Sequence, residues 1–154
     1  MMKYFPIILA MLLAASPAAA APGVEVINVV QVERMVLVDG HVRIVLAQAE
    51  LVVPGDKINV SIQYRNGGAK PVSDFVITNP VPAGVQYVGD ATPVATVSVD
   101  GGHSWGDLAA LKIRSADGSA RAAQPADVTH LRWVLNGAIA PGASGKVSFR
   151  GVVR

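Results

Sequence analysis

The chain has 154 residues, thirteen basic and eleven acidic side chains, and no cysteine. A disulfide framework, a thiolate nucleophile and a cysteine-ligated zinc site are excluded. The charge is nearly balanced and no Lys/Arg cluster stands out, so no face is expected to neutralise the phosphates of a nucleic acid.

Residues 1–20 read as a secretory signal peptide. Lys3 gives a positive start, Ile7 to Ala15 an apolar run, Ser16-Pro17 a break, and Ala18-Ala19-Ala20 the small residues a peptidase reads. Cleavage after Ala20 avoids placing Pro22 next to the cut. The apolar run is short for a membrane span of about 20 residues and follows Pro6. The chain is therefore expected outside the cytoplasm, periplasmic or at the cell surface, meeting the membrane only transiently through this peptide.

Residues 21–48 form the next unit. Val24, Val26, Ile27, Val29, Val30 and Val32, then Val36, Val38, Val42, Ile44 and Val45, are too dense in β-branched side chains for a helix. Asp39-Gly40 between two such runs is a two-residue hairpin signal. Apolar residues fall on both faces, as in Val29-Val30 and Val36-Leu37-Val38. The segment either covers a face of the fold or leaves an edge open for another chain.

Residues 49–154 form the main domain. From Lys57 to Arg65 the chain alternates, with Ile58, Val60, Ile62 and Tyr64 on one face and polar residues on the other. Asn66-Gly67-Gly68 is expected to tolerate positive φ and turn the chain back. Phe75 and Ile77 share a face of the next strand, which Asn79-Pro80-Val81-Pro82-Ala83-Gly84 ends, since each proline removes a ladder N–H. Gly89 to Pro93 reads as a loop and Val94 to Val99 as a strand with Ala95, Val97 and Val99 in phase. Asp100-Gly101-Gly102 is a turn. Gly106 to Asp127 is the least patterned stretch; Leu108, Leu111 and Ile113 suggest one short element, and Ser115 to Ala126 a loop. Thr129 to Leu135 alternates again, with Leu131, Trp133 and Leu135 on the apolar face. After the turn of Asn136 to Gly145, Lys146 to Arg154 closes the chain as a strand with Val147, Phe149 and Val153 in phase. VVPGDKINVSI and IAPGASGKVSF echo each other, which predicts two similar corners of one fold. Eight or nine short strands with regular turn signals predict an all-β antiparallel sandwich.

The run VVPGDKINVSIQYRNGGAKPVSDFVITNPVPAGVQYV, then SVDGGHSW, then THLRWVLNGAIAPGASGKVSFRGVVR, resembles the bacterial conserved-repeat domain called domain of unknown function eleven. The resemblance covers about residues 49–154. It implies an immunoglobulin-like sandwich on the outer side of a bacterial membrane, of a kind that often occurs in tandem as a spacer or adhesive segment. This chain departs from that pattern in carrying one copy, and Asn79 stands where many relatives have Asp. No catalytic residue follows from the resemblance.

Asp100, His103 and Trp105 are the candidate ligand or partner contact: a Trp beside polar groups stacks on a sugar ring, and His with Asp begins a metal site. Two ligands do not complete one, and His41 and His130 lie on other strands, so no metal or cofactor is expected. The competing reading is a hairpin tip with Trp105 packed on the rim. Gly142-Ala143-Ser144-Gly145-Lys146 is not a phosphate loop, because Ala140 and Val147 replace its first glycine and its hydroxyl. No serine has a nucleophile-elbow context and no acidic pair is placed for acid–base work. The expectation is a non-catalytic exported structural or interaction module of the cell envelope, with a protein partner or its own copy paired at an edge strand. The alternatives are a carbohydrate or small-ligand binding module using loops at one end of the sandwich, and a hydrolase whose triad assembles only in space.

Overall fold

A computed structural model of the chain describes residues 23–154, so the expected signal peptide and its expected cleavage site lie outside the described residues. The described residues hold ten strands and no α-helix. They are β1 (Val24–Val38), β2 (His41–Gln48), β3 (Lys57–Asn66), β4 (Val76–Pro80), β5 (Val85–Thr92), β6 (Thr96–Ser98), β7 (Lys112–Arg114), β8 (Ala120–Ala122), β9 (His130–Val134) and β10 (Ser144–Val153). Two 3-10 turns, Leu108–Ala110 and Pro125–Asp127, complete the elements. The architecture is all-β, with a five-stranded antiparallel sheet in the order β2-β1-β3-β10-β5, a three-stranded sheet β4-β9-β6 and the small ribbon β7-β8.

Both larger sheets contribute to one core. Ile58, Val60 and Ile62 of β3 and Val147, Phe149 and Val153 of β10 are buried, and so are Ile77, Leu131, Trp133 and Val97 of the smaller sheet. The phase read from alternation holds in all three long runs. Burying such a side chain stabilises by roughly 1.5–3 kcal/mol, so these positions decide the fold. Trp133 also meets its polar need, since its indole N–H donates to the Pro93 carbonyl at 2.8 Å.

The echoed Pro-Gly segments form the two corners of the β3–β10 pair. Gly55 N–H donates to Val153 O (2.8 Å), and Val153 N–H donates to Asp56 O (2.9 Å). At the other end Gly142 N–H donates to Asn66 O (2.7 Å), and Asn66 N–H donates to Ala143 O (2.9 Å). The register pairs Ser61 with Ser148, the same position in each echo. Each corner therefore caps the far end of the other's strand. Gly55 and Gly142 have φ of 95° and 76°, where a side chain is strained.

Three expectations are corrected. The chain does not turn back after Asn66: β4 pairs with β9 in the other sheet, and Gly67 and Gly68 are not among the positive-φ glycines. Asn66, fully buried, holds this crossing, donating from Nδ2 to Lys70 O and Ile139 O and accepting from Gly68 N–H. Gly89 to Thr92 belongs to β5, because a bulge opposite Phe149 to Gly151 absorbs the glycine within the strand. Ser115 to Ala126 is not only loop: β8 pairs with β7 around Gly118, and Asp117 accepts from Ser119 at the turn.

The segment before residue 49 is divided between two roles. Val24 to Val32 pairs with β3, with Val24 and Val32 in the core. From about Glu33 on, β1 pairs only with β2, and the two leave the body as a hairpin.

Candidate functional site

The predicted contact residues lie together on the turn after β6, where the Asp100 carboxyl and the Trp105 indole N–H are bonded within the turn itself. Asp100 Oδ1 accepts from Ser98 Oγ (2.7 Å) and Ser104 N–H (2.9 Å), and Oδ2 accepts from Ser104 Oγ (2.6 Å). The Ser104 hydroxyl, then its N–H, then Ser98 hold the Asp100 carboxyl well below the usual carboxylate range. Ser98 is fully buried and also accepts from Gly102 N–H at 2.8 Å, so it ties the turn to the sheet. His103 is exposed.

Trp105 is half-buried, with its indole N–H donating to Gly102 O at 2.9 Å. The Arg132 guanidinium lies 3.6 Å from its ring centroid, and the His130 ring meets it edge-on at 6.3 Å. One ring face is thus occupied by a cation–π contact and is not free for a sugar. Sequence reasoning missed Arg132 and His130. Their signal was the alternation of β9, which puts them on the face opposite Leu131 and Trp133. Arg132 Nε is buried without a hydrogen-bond partner among the described residues. No group of three or more His, Asp or Glu among the described residues is placed to hold a metal ion.

The hairpin is the larger feature. Two adjacent residues anchor its root on opposite faces. Arg150 donates from Nε to Glu33 Oε1 (2.6 Å) and from Nη1 to Asp90 Oδ2 (3.1 Å), which ties β1 across β3 to β10. Arg34 donates to both oxygens of Asp56 (2.9 and 3.3 Å). That ion pair and the Val53 N–H lower the Asp56 carboxyl.

Beyond the root nothing among the described residues covers the hairpin. The register Glu33↔Leu46, Met35↔Ile44 and Leu37↔Val42 places these side chains on one face. Five of them form an aliphatic ladder: Met35 is 79% exposed, Leu37 72%, Val42 68%, Ile44 63% and Leu46 44%. On the opposite face, Val38 and Val45 are also exposed, beside His41 and Arg43. Single exposed aliphatics are ordinary; a contiguous strip of five on one face is not. The outer edge of β2 is also the open edge of the five-stranded sheet.

No family model, curated protein or solved structure matches the chain. The likeness to the conserved-repeat domain stands on the residues quoted for it.

Proposed function

We propose that the chain is a non-catalytic exported structural or protein-interaction module of the bacterial cell envelope or surface. In this reading the two sheets form an immunoglobulin-like sandwich, and the β1–β2 hairpin is the docking element. The observation that carries it is the aliphatic ladder on a hairpin that adds nothing to the core beyond Val32. The layout of residues 1–20 supports export. Docking through an open strand supplies main-chain bonds for affinity and side-chain pockets for selection.

The test is to shorten the hairpin and leave the core intact. Arg34 and Val45 are register partners, so Asn-Gly in place of residues 35–44 closes the same kind of turn nearer the body. Both forms are produced in a bacterial host and fractionated. Intact mass is expected to show a chain starting at Ala21 for each. The shortened form is expected to keep its melting temperature within a few degrees and to lose retention in the envelope fraction. Equal retention of the two forms, or recovery of uncleaved chain in the cytoplasm, would sink the reading.

A further inference from the structure

The sheet edges are not alike. β5 is interrupted by the bulge between Tyr87 and Ala91, and the Pro125–Asp127 turn packs against it, close enough that a Cβ on Gly89 would sit 3.3 Å from Pro125 Cγ. β4 has five residues and ends at Pro80. β6 has three, and Val97 already exchanges main-chain bonds with Gly106 on its far side (2.9 and 3.1 Å). β7 and β8 are three residues each and carry Lys112, Arg114 and Arg121. These are the usual ways of blunting an edge. β2 uses none of them. It is eight residues long, HVRIVLAQ, with no proline, no lysine and one full charge, Arg43.

The turn fixes which groups of β2 are free. Asp39 and Gly40 have φ of 51° and 77°, the pattern of a two-residue type I′ turn closing on the pair Val38↔His41. That pair exchanges main-chain bonds, and so does every second pair behind it. Residues 41, 43, 45 and 47 thus direct N–H and C=O toward β1, while Val42, Ile44 and Leu46 direct theirs to the open edge. The residues that present the edge are the same ones that carry the ladder.

We infer that the occupant of this edge is a second copy of the chain, with β2 antiparallel to its own copy about a two-fold axis at Ile44. The inference rests on the docking role given to the hairpin. In this register Val42 faces Leu46 of the copy and Ile44 faces Ile44, so every edge-presenting pair is aliphatic. Arg43 falls opposite Val45. Sliding one pair toward the turn would set Arg43 against Arg43, and sliding one pair away would set Val42 against Gln48. Charge and apolarity thus select one alignment. Both apolar ladders come to the same side, because each edge-presenting residue also carries a ladder side chain. A two-stranded ribbon is marginal alone, and four strands with an apolar face are not. The contact is isologous and uses the same β2 edge on both copies, so this pairing closes at two. A lipid surface fits less well, since the hairpin has no Trp, Tyr, Phe or Lys to anchor at an interface.

The test is sedimentation velocity over a range of concentration, with cysteine trapping. The wild type is expected to pass from monomer to dimer. Ile44→Lys places like charges on the axis and is expected to weaken the dimer at least about 100-fold. Its melting temperature is expected to match wild type at monomer concentrations, since Ile44 lies outside the core. The chain has no cysteine, so each introduced thiol is unique. Ile44→Cys is expected to form a disulfide dimer under mild oxidation. Val42→Cys and Leu46→Cys are each expected to fail alone and to cross-link when mixed. Dimerisation unchanged by Ile44→Lys, or Val42→Cys pairing with itself as readily as Ile44→Cys, would overturn the arrangement. A wild type monomeric at every concentration, with hairpin-dependent envelope retention, would end self-pairing and leave the docking reading standing. A monomer retained regardless of the hairpin would end both. A monomer that co-sediments with phosphatidylglycerol vesicles in an Ile44-dependent way would overturn it in favour of a lipid surface.

Discussion

Trp133 and Lys57 show how a single position reports the strand phase. Trp133 is 2% exposed, and its N–H is bonded to Pro93, so Trp133→Ala leaves both a cavity and an unpaired carbonyl. It is expected to cost about 3–5 kcal/mol. Lys57 points to solvent from β3, and Lys57→Ala is expected to change stability by less than about 0.5 kcal/mol. Chemical denaturation that ranked the two the other way would mean that side chains had been assigned to the wrong faces. Asp127 supplies a pH handle. The Arg121 guanidinium, then the Gln124 N–H, hold its carboxyl at about 2. The folded value lies below the ordinary one of 3.8, so the unfolded chain takes up the proton first as pH falls. This contribution is present above about pH 4 and is lost as pH drops toward about 2. Denaturation midpoints measured across that window are expected to fall less steeply for Asp127→Asn than for wild type; parallel curves would remove the ion pair from the account. Trp133 was legible from its neighbours Leu131 and Leu135. Asn66 was not, because its burial comes from partners at Lys70 and Ile139 that local spacing does not reveal.

Among elements, legibility followed length. β3, β9 and β10 each run long enough for alternation to repeat, and their phase was read correctly from Ile58, Leu131 and Val147. β7 and β8 have three residues each, too few to show a period, so the Asp117-Gly118 turn signal between them had no alternating runs on either side to mark a hairpin. In β5 the glycine that reads as a break is accommodated by a bulge, a feature of the partner strand as much as its own. The hairpin shows the opposite case. Asp39-Gly40 placed its turn, and the two-sided apolar pattern of β1 raised the choice between core and open edge. What the pattern could not supply was the point of division at Glu33 and Arg34. It depends on Arg150, Asp90 and Asp56, all distant along the chain. Asp100, His103 and Trp105 were legible as a cluster because they adjoin in sequence, whereas Arg132 and His130 reach the same place from another strand.

At the scale of the molecule, β1 and β10 flank β3, and both run antiparallel to it, so they run parallel to each other. Val24 sits beside Asn66 at one end of β3, and Val152 sits beside Lys57 at the other. Tension applied between Val24 and Val153 is therefore directed along the strands. It loads both ladders in shear, each over nine register pairs, so many main-chain bonds must yield together. Tension applied between Val24 and Lys70 instead pulls apart neighbouring strand ends and peels the β1–β3 ladder one bond at a time. Forced unfolding follows the barrier to rupture and not the equilibrium stability, so one fold is expected to show two strengths. Single-molecule pulling should give a rupture force several times higher for the first pair of handles than for the second. Equal forces would show that the β3 ladders do not bear the strain. The strand that fills the centre of the core thus also sets the direction in which the molecule resists being pulled.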